Sequence, residues 1–291
     1  MNQAAVRAPA KINFGLRVLK KRPDGYHEIE TVLQMISLFD DLLIQEGGTG
    51  IRIETDRDDL PVGEENLIYR AAELLARESG KFPAVRIRLT KRIPIAAGLG
   101  GGSSDAAATL IGLNRLWDLG FPRERLMDLA GKIGMDVPFF LFSPSAYATG
   151  RGEILEKLSP PSPPLWILLI YPGFKVSTAW AYQNLKLGLT IEHKNISIPK
   201  FFPAVSCAGG ICLENDLERA TFKAYPCLKQ IKETLETSGA LHVLMSGSGP
   251  AIFGAFSDED PARAVKQQLG EKKDLSVFMI HTLSALPESL E

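Results

Sequence analysis

The run Pro94-Ile95-Ala96-Ala97-Gly98-Leu99-Gly100-Gly101-Gly102-Ser103-Ser104 constrains this chain more than any other segment. Four glycines within five positions belong to neither a helix interior nor a strand, because glycine loses the most backbone entropy on ordering. Before the run, Val85, Ile87 and Leu89 alternate with Arg86, Arg88 and Thr90, the pattern of a half-buried strand that leads through Lys91-Arg92-Ile93. After it, Ala107, Leu110, Ile111 and Asn114 recur at helical spacing over Ser104 to Trp117. A glycine loop between a strand and a helix lets backbone N–H groups approach an anion without Cβ obstruction, and the helix N-terminus adds partial positive charge. The expected ligand is a di- or triphosphate, with the hydroxyls of Ser103 and Ser104 offered to phosphate oxygens or to a magnesium ion.

Three familiar phosphate-binding signatures do not fit. A Walker loop needs a lysine where Ser103 stands, and a dinucleotide fingerprint needs a third glycine at that same position. The HRD and DFG signatures of protein kinases are absent. The whole chain supplies no general attraction for phosphate either: 291 residues carry 33 Lys and Arg against 34 Asp and Glu, a formal net charge of −1. Binding of phosphate must be local, and neither nucleic acid nor a membrane is expected as a partner.

The rest of the chain reads as α+β. Ile12, Phe14, Leu16 and Val18 mark an early strand, Arg22-Pro23-Asp24-Gly25 a tight turn, and Thr31 to Phe39 and Leu42 to Gln45 two strands on either side of Asp40-Asp41. Asn66 caps a helix expected over Leu67 to Ser79, which Gly80 closes, and a further helix is expected over Arg123 to Lys132. Ser159-Pro160-Pro161-Ser162-Pro163-Pro164 holds neither helix nor ladder, so the division expected is residues 1–158 and 159–291. Beyond it, strands at Leu165 to Tyr171, Leu241 to Met245, Ala251 to Phe256 and Val277 to Thr282, with helices between, give a β-α-β-β-α-β order of ferredoxin-like type. Cys207, Cys212 and Cys227 have no metal spacing and read as free buried thiols in a reducing cytosol. Met1 to Ala8 lacks a signal-peptide core and no apolar run approaches ~20 residues, so a cytoplasmic location is expected.

Several residues carry two readings. Lys11 faces the same side of its strand as Asn13, as a solvated residue or as a cleft cation. Asp136, in Gly134-Met135-Asp136-Val137-Pro138, reads as a helix cap; within ~4–6 Å of Lys11 it becomes a general base contributing roughly 10²–10⁴ in rate. Tyr26 and His27 are loop packing or a platform for a nucleobase. Ser246-Gly247-Ser248-Gly249-Pro250 is a hairpin turn or a second wall of the phosphate cleft. His193, His242 and His281 have no second metal ligand at useful spacing, and no metal-ligand set is assigned.

Taken in order, Ala8-Pro9-Ala10-Lys11-Ile12-Asn13, the Pro94 to Ser104 loop, Gly134 to Pro138 and Ser246 to Pro250 resemble the motifs of the galactokinase, homoserine kinase, mevalonate kinase and phosphomevalonate kinase superfamily. Arg22-Pro23-Asp24-Gly25-Tyr26-His27 is similar to the branch that phosphorylates the 2-hydroxyl of a methylerythritol joined to cytidine diphosphate, in non-mevalonate isoprenoid synthesis. The resemblance implies a two-domain kinase fold, β-rich α+β in its N-terminal ATP-binding and catalytic half and ferredoxin-like in its C-terminal, substrate-side half. It implies ATP as co-substrate with Mg²⁺, Asp136 as base, and Lys11 orienting it and offsetting phosphoryl charge. It places Asn13 on the methylerythritol, Thr178 against substrate, Tyr26 and His27 on the cytosine with Tyr182 on the ring's other face, and Asn66 and Lys91 beside the nucleotide. Other acceptors of the same fold, a diphosphate decarboxylase and a non-catalytic nucleotide-binding regulator remain the alternatives. Asp105 stands where some relatives carry Asn; one step into the helix, its carboxylate would favour the N-terminal dipole.

Overall fold

A long hairpin starts the chain: β1 (Gln3–Lys21) returns through Arg22-Pro23-Asp24-Gly25 into β2 (His27–Glu46), paired antiparallel from Gln3↔Gln45 to Lys21↔His27. The turn has the expected form, with Gly25 at φ +86° and its N–H donating to the Arg22 carbonyl at 3.1 Å. The computed structural model describes residues 2–185, 214–269 and 274–290; Cys207, Cys212 and His193 lie outside them.

β2 is one strand where two were expected. Asp40 does not interrupt it because its fully buried carboxylate is satisfied: Oδ1 accepts the Arg92 and Ile93 backbone N–H groups at 2.6 and 2.9 Å, and Oδ2 accepts from Lys91 Nζ.

β1 occupies one edge of β2. The other edge is shared by β4 (Val85–Thr90), along Asp41–Glu46, and β5 (Ser145–Thr149), along Thr31–Gln34. β3 (Ile51–Thr55) joins β4 in parallel and β6 (Ile154–Lys157) joins β5. β3, β5 and β6 escaped the sequence reading; β5, Ser-Ala-Tyr-Ala-Thr, is too rich in small residues to show a period. One face of this sheet carries α1 (Leu67–Ser79), α2 (Gly101–Leu116), α3 (Arg123–Ile133) and the single turn α4 (Phe139–Phe142). α1 has the expected bounds, with Asn66 Oδ1 accepting the Ile68 N–H and Gly80 left-handed at φ +67°. Val6, Met35 and Ile44 pack there against Leu75, Leu110, Leu129 and Phe140.

The second sheet runs in the order β10-β7-β9-β8, antiparallel throughout, from β7 (Trp166–Tyr171), β8 (His242–Met245), β9 (Ile252–Phe256) and β10 (Ser276–His281). With α5 (Thr178–Asn184), α6 (Glu218–Ala224) and α7 (Pro226–Glu236) before β8 and α8 (Glu259–Leu269) before β10, this is the expected ferredoxin-like arrangement. β7 is apolar along its length because both faces are covered. Ile167 and Leu169 meet Ile12, Phe14 and Ile36 of the first sheet, and Leu168 and Ile170 meet Leu228, Leu235 and Ala262 of the helices beyond. The molecule is therefore layered as helices, sheet, sheet, helices.

After β10 the chain crosses back to the first layer. Leu290 is fully buried in the helix-side core, while Arg123 Nη2 donates to the Leu290 carbonyl and Arg115 Nη1 to that of Ser289, both at 2.8 Å. Cys227, expected to be buried, is a free thiol exposed on the first turn of α7; its apolar-sounding context, Pro226 and Leu228, puts only Leu228 inward. Among the described residues no helix is long and apolar enough to cross a membrane.

Candidate active site

α2 begins at Gly101, three residues before its expected start, so the loop proper is Pro94–Gly100 and Gly101 to Ser104 form the first helical turn. Two glycines there are poor helix formers, and close packing accounts for the first of them: a Cβ on Gly101 would lie 3.0 Å from both Ile93 Cγ2 and Lys91 Nζ, whereas one on exposed Gly102 would meet only Leu67, at 3.9 Å. Gly98 (φ +79°) and Gly100 (φ +68°) hold the loop in left-handed conformations, and a Cβ on Gly98 would fall 1.9 Å from the Ser246 carbonyl oxygen. The loop is tied on both sides. The Lys11 N–H donates to Leu99 O at 2.9 Å, Ser246 Oγ donates to Gly98 O at 2.9 Å, and the Ala251 N–H donates to Ala97 O at 3.3 Å. Ser246-Gly247-Ser248 thus stands against the loop and holds its shape.

Between loop, hairpin and second sheet lies a cleft of about 1090 Å³, lined by Pro94 to Ser103, Lys11, Asn13, Tyr26, His27, Asn66, Lys91, Asp136, Thr178 and Tyr182. Of the candidate catalytic, nucleotide-binding and substrate-binding residues, Ser104 alone lies outside its lining, with a fully buried hydroxyl that finds no hydrogen-bond partner; of Ser246 to Pro250 only Gly247 and Ser248 line it. The helical turn rotates Ser104 under the loop, away from the cleft. Lys11, only 5% exposed, puts Nζ 3.9 Å from Asp136 Oδ2 and donates to Asn13 Oδ1 at 2.6 Å. Asn13 Nδ2 in turn donates to Thr31 Oγ1, and that hydroxyl donates to Gly15 O at 2.6 Å. Burial pulls the Lys11 ammonium below its ordinary pKa, and the Asp136 carboxylate opposes that pull. Asp136 itself remains open to the cleft, its side chain 39% exposed.

Lys91 lines the cleft with its charge already committed, Nζ donating to Asp40 Oδ2 at 2.5 Å and Asp105 Oδ2 at 2.6 Å. Asp105 is a full turn into α2, and Lys91 rather than the helix dipole is its partner. Burial, added to by Asp40 and countered by Lys91, pushes the Asp105 carboxyl up to about 7.

At the other end of the cleft the His27 and Tyr182 rings stack on each other, centroids 5.1 Å apart and 25° from parallel. Stacked rings sit 4.5–7 Å apart, so in this arrangement no third ring fits between these two; a base has the open face of Tyr26, 53% exposed, or must part the pair. Burial, with the Asp136 charge, pushes the Tyr182 hydroxyl above its ordinary pKa, whereas burial and then Lys21 lower that of His27. Thr178 Oγ1 lies 3.0 Å from Ser248 Oγ, joining the start of α5 to the turn after β8. Among the described residues no group of three or more His, Cys, Asp or Glu could hold a metal ion.

The GHMP kinases N terminal domain matches residues 66–144, which include the glycine loop and Asp136, and the GHMP kinases C terminal matches residues 205–274. A 4-diphosphocytidyl-2-C-methyl-D-erythritol kinase of Geobacter metallireducens is 44% identical over 284 residues, covering 97% of this chain and all of that one. The chain belongs to the 4-diphosphocytidyl-2-C-methyl-D-erythritol kinase family. Another member, from Syntrophus aciditrophicus, is 45% identical over 96% of this chain and 99% of its own. The crystal structure of a 4-(cytidine 5'-diphospho)-2C-methyl-D-erythritol kinase superposes with a TM-score of 0.81 at 36% identity, over 96% of this chain and 99% of that one. A homoserine kinase from Cytophaga hutchinsonii, 19% identical with a TM-score of 0.76 over 98% of this chain and 96% of its own, shares the fold.

Within this kinase family member, sequence reasoning missed the Asp40 partner of Lys91 and a cation beside Tyr26 in the cleft, Arg151. The signal for the second was present: Gly150-Arg151-Gly152 isolates one arginine between two glycines.

Proposed function

We propose that this chain transfers the γ-phosphoryl group of ATP to the 2-hydroxyl of 4-diphosphocytidyl-2-C-methyl-D-erythritol, yielding the 2-phosphate and ADP, in isoprenoid precursor biosynthesis by the non-mevalonate route. The observation that carries the reading is the Lys11–Asp136 pair, 3.9 Å apart beside a helix-capping glycine loop, in a chain whose full-length relatives bear that kinase's name. Residues 1–158 form the ATP-binding and catalytic half and 159–291 the substrate-side half.

Phosphoryl transfer needs alignment and charge stabilisation more than covalent chemistry. The Pro94–Gly100 loop and the N–H groups opening α2 hold the ATP phosphates; Asn66 and the ion-paired Lys91 border the nucleotide. Asp136 accepts the proton of the acceptor hydroxyl. Lys11, held by Asn13 and shielded from water, presents its ammonium to the oxygens of the group in flight, where a low-dielectric setting strengthens it. Asn13 and Thr178 border the methylerythritol, and Tyr26, His27 and Tyr182 form the cytosine platform. Mg²⁺, when bound, neutralises the β- and γ-phosphates. Such an ion, carried mainly by the phosphates, would ask only one or two oxygens of the protein; Ser103 and Asp105 border that end of the cleft, the Asp105 Oδ1 buried and without a hydrogen-bond partner. A location in the cytoplasm completes the reading.

Coupled ADP release with this acceptor, beside mevalonate, homoserine and galactose, tests it. Turnover confined to the cytidyl substrate is expected; turnover only with another alcohol would keep the kinase and discard the acceptor.

A further inference from the structure

An acceptor that ends in cytosine and reacts at a polyol hydroxyl must lay its diphosphate between the aromatic platform and the Lys11–Asp136 pair. The two anionic groups need a partner there, because the glycine loop serves ATP and Lys11 the transferred group. The turn joining β5 to β6 occupies this interval. Gly150 (φ +72°) and Gly152 (φ +110°) take conformations that turn the chain sharply on each side of Arg151. The Ile29 N–H donates to Gly150 O at 2.8 Å, which fixes the turn to β2 just beyond His27. A Cβ built on Gly152 would stand 4.0 Å from Asp136 Oδ1. One residue earlier, the Arg151 guanidinium carbon lies 5.2 Å from the centre of the Tyr26 ring. Arg151 therefore spans from the reacting carboxylate to the base platform, and its side chain lines the cleft.

The guanidinium is held yet has donors to spare. Its Nε donates to Glu153 Oε1 at 3.1 Å, and its backbone N–H donates to Glu153 Oε2, so the acid orients the fork from behind. Nη1 and Nη2 make no hydrogen bond to the described residues. Two parallel N–H donors on a planar fork match adjacent phosphate oxygens, a match that lysine lacks. Lys21, paired with His27 across the hairpin and lining the same end of the cleft, adds a second positive charge.

Building on the proposed function, we infer that Arg151 is the binding residue for the diphosphate of the cytidyl acceptor and sets the preference for cytidine diphosphates over uncharged cytidine compounds. Its partners are the phosphate oxygens, and Tyr26 beneath it shares the work by keeping the guanidinium over the base platform.

The test is equilibrium titration of the full chain with CDP and with cytidine, the ATP loop being saturated with a non-hydrolysable ATP analogue. Wild type is expected to bind CDP at least about tenfold more tightly than cytidine, the scale of one charge-assisted pair. In Arg151→Gln that ratio falls toward one with cytidine affinity unchanged; Arg151→Lys keeps an intermediate ratio. Unaltered affinity for the ATP analogue in each variant shows the fold intact. A ratio that survives in Arg151→Gln, or a wild type that binds both ligands equally, overturns the role of Arg151 while leaving the cytidyl reading in place. A wild type that binds neither ligand overturns both.

Discussion

Asp136 was legible only as a motif, because nothing local to Gly134-Met135-Asp136-Val137-Pro138 says that Lys11 lies across from it; the fold brings the two within 3.9 Å. We expect Asp136→Asn to keep ATP affinity while kcat falls at least about 10²-fold, measured by initial rates at saturating ATP; wild-type turnover would remove the carboxylate from the reaction. Tyr26→Ala is expected to raise KM for the cytidyl acceptor by about 5- to 150-fold with little change in KM for ATP, the scale of about 1–3 kcal/mol for a base stacked on an aromatic ring. Asp105 gives a prediction in pH. Its carboxyl is raised to about 7 in the folded chain, against about 3.9 unfolded, so the folded state holds that proton more tightly. Stability from this group is fully present below about pH 4 and is lost as pH rises toward 7. Asp105→Asn should therefore show a flatter melting temperature between pH 4 and 8 than wild type; parallel curves would contradict the raised pKa.

Among elements, those bounded by side-chain chemistry were readable and those bounded by tertiary partners were not. α1 has Asn66 at its start and Gly80 at its end, both local signals, and its bounds agree residue for residue. β2 continues through Asp40 because of Lys91, fifty-one residues away, which no window of sequence contains. The start of α2 failed for the same reason: Gly101 looks like loop until Ile93 and Lys91 are seen to leave no room for a side chain there. The glycine loop is also where substitution is most costly. Gly98→Ala puts a Cβ 1.9 Å from a carbonyl oxygen at positive φ, a left-handed penalty of about 1–2 kcal/mol before the clash is relieved. We expect a lower melting temperature together with weakened ATP binding by titration; intact ATP affinity would show that the loop does not need its contact with Ser246.

At the scale of the molecule, the β-α-β-β-α-β order gave the second sheet its topology. Sheet-on-sheet packing was not visible, since the alternation in β1 says that one face is apolar and the unbroken run of β7 that both are, without naming what covers them. Nor was the path after β10, where Leu283, Leu286 and Leu290 are too sparse to form a period yet all reach the first core. Leu290→Ala should cost about 2–5 kcal/mol, the usual loss for emptying a buried leucine site, seen as a lower denaturation midpoint with an unchanged slope; a neutral result would show the tail only resting on the core. That tail has a consequence for biosynthesis. The strands and helices between Val6 and Ala148 reach their final packing only once Leu290 has been made, so on the ribosome this half waits on the order of ten seconds at ordinary elongation rates. During that interval the pocket for Leu290 is open apolar surface on a nascent chain, a natural point of contact for a holding chaperone.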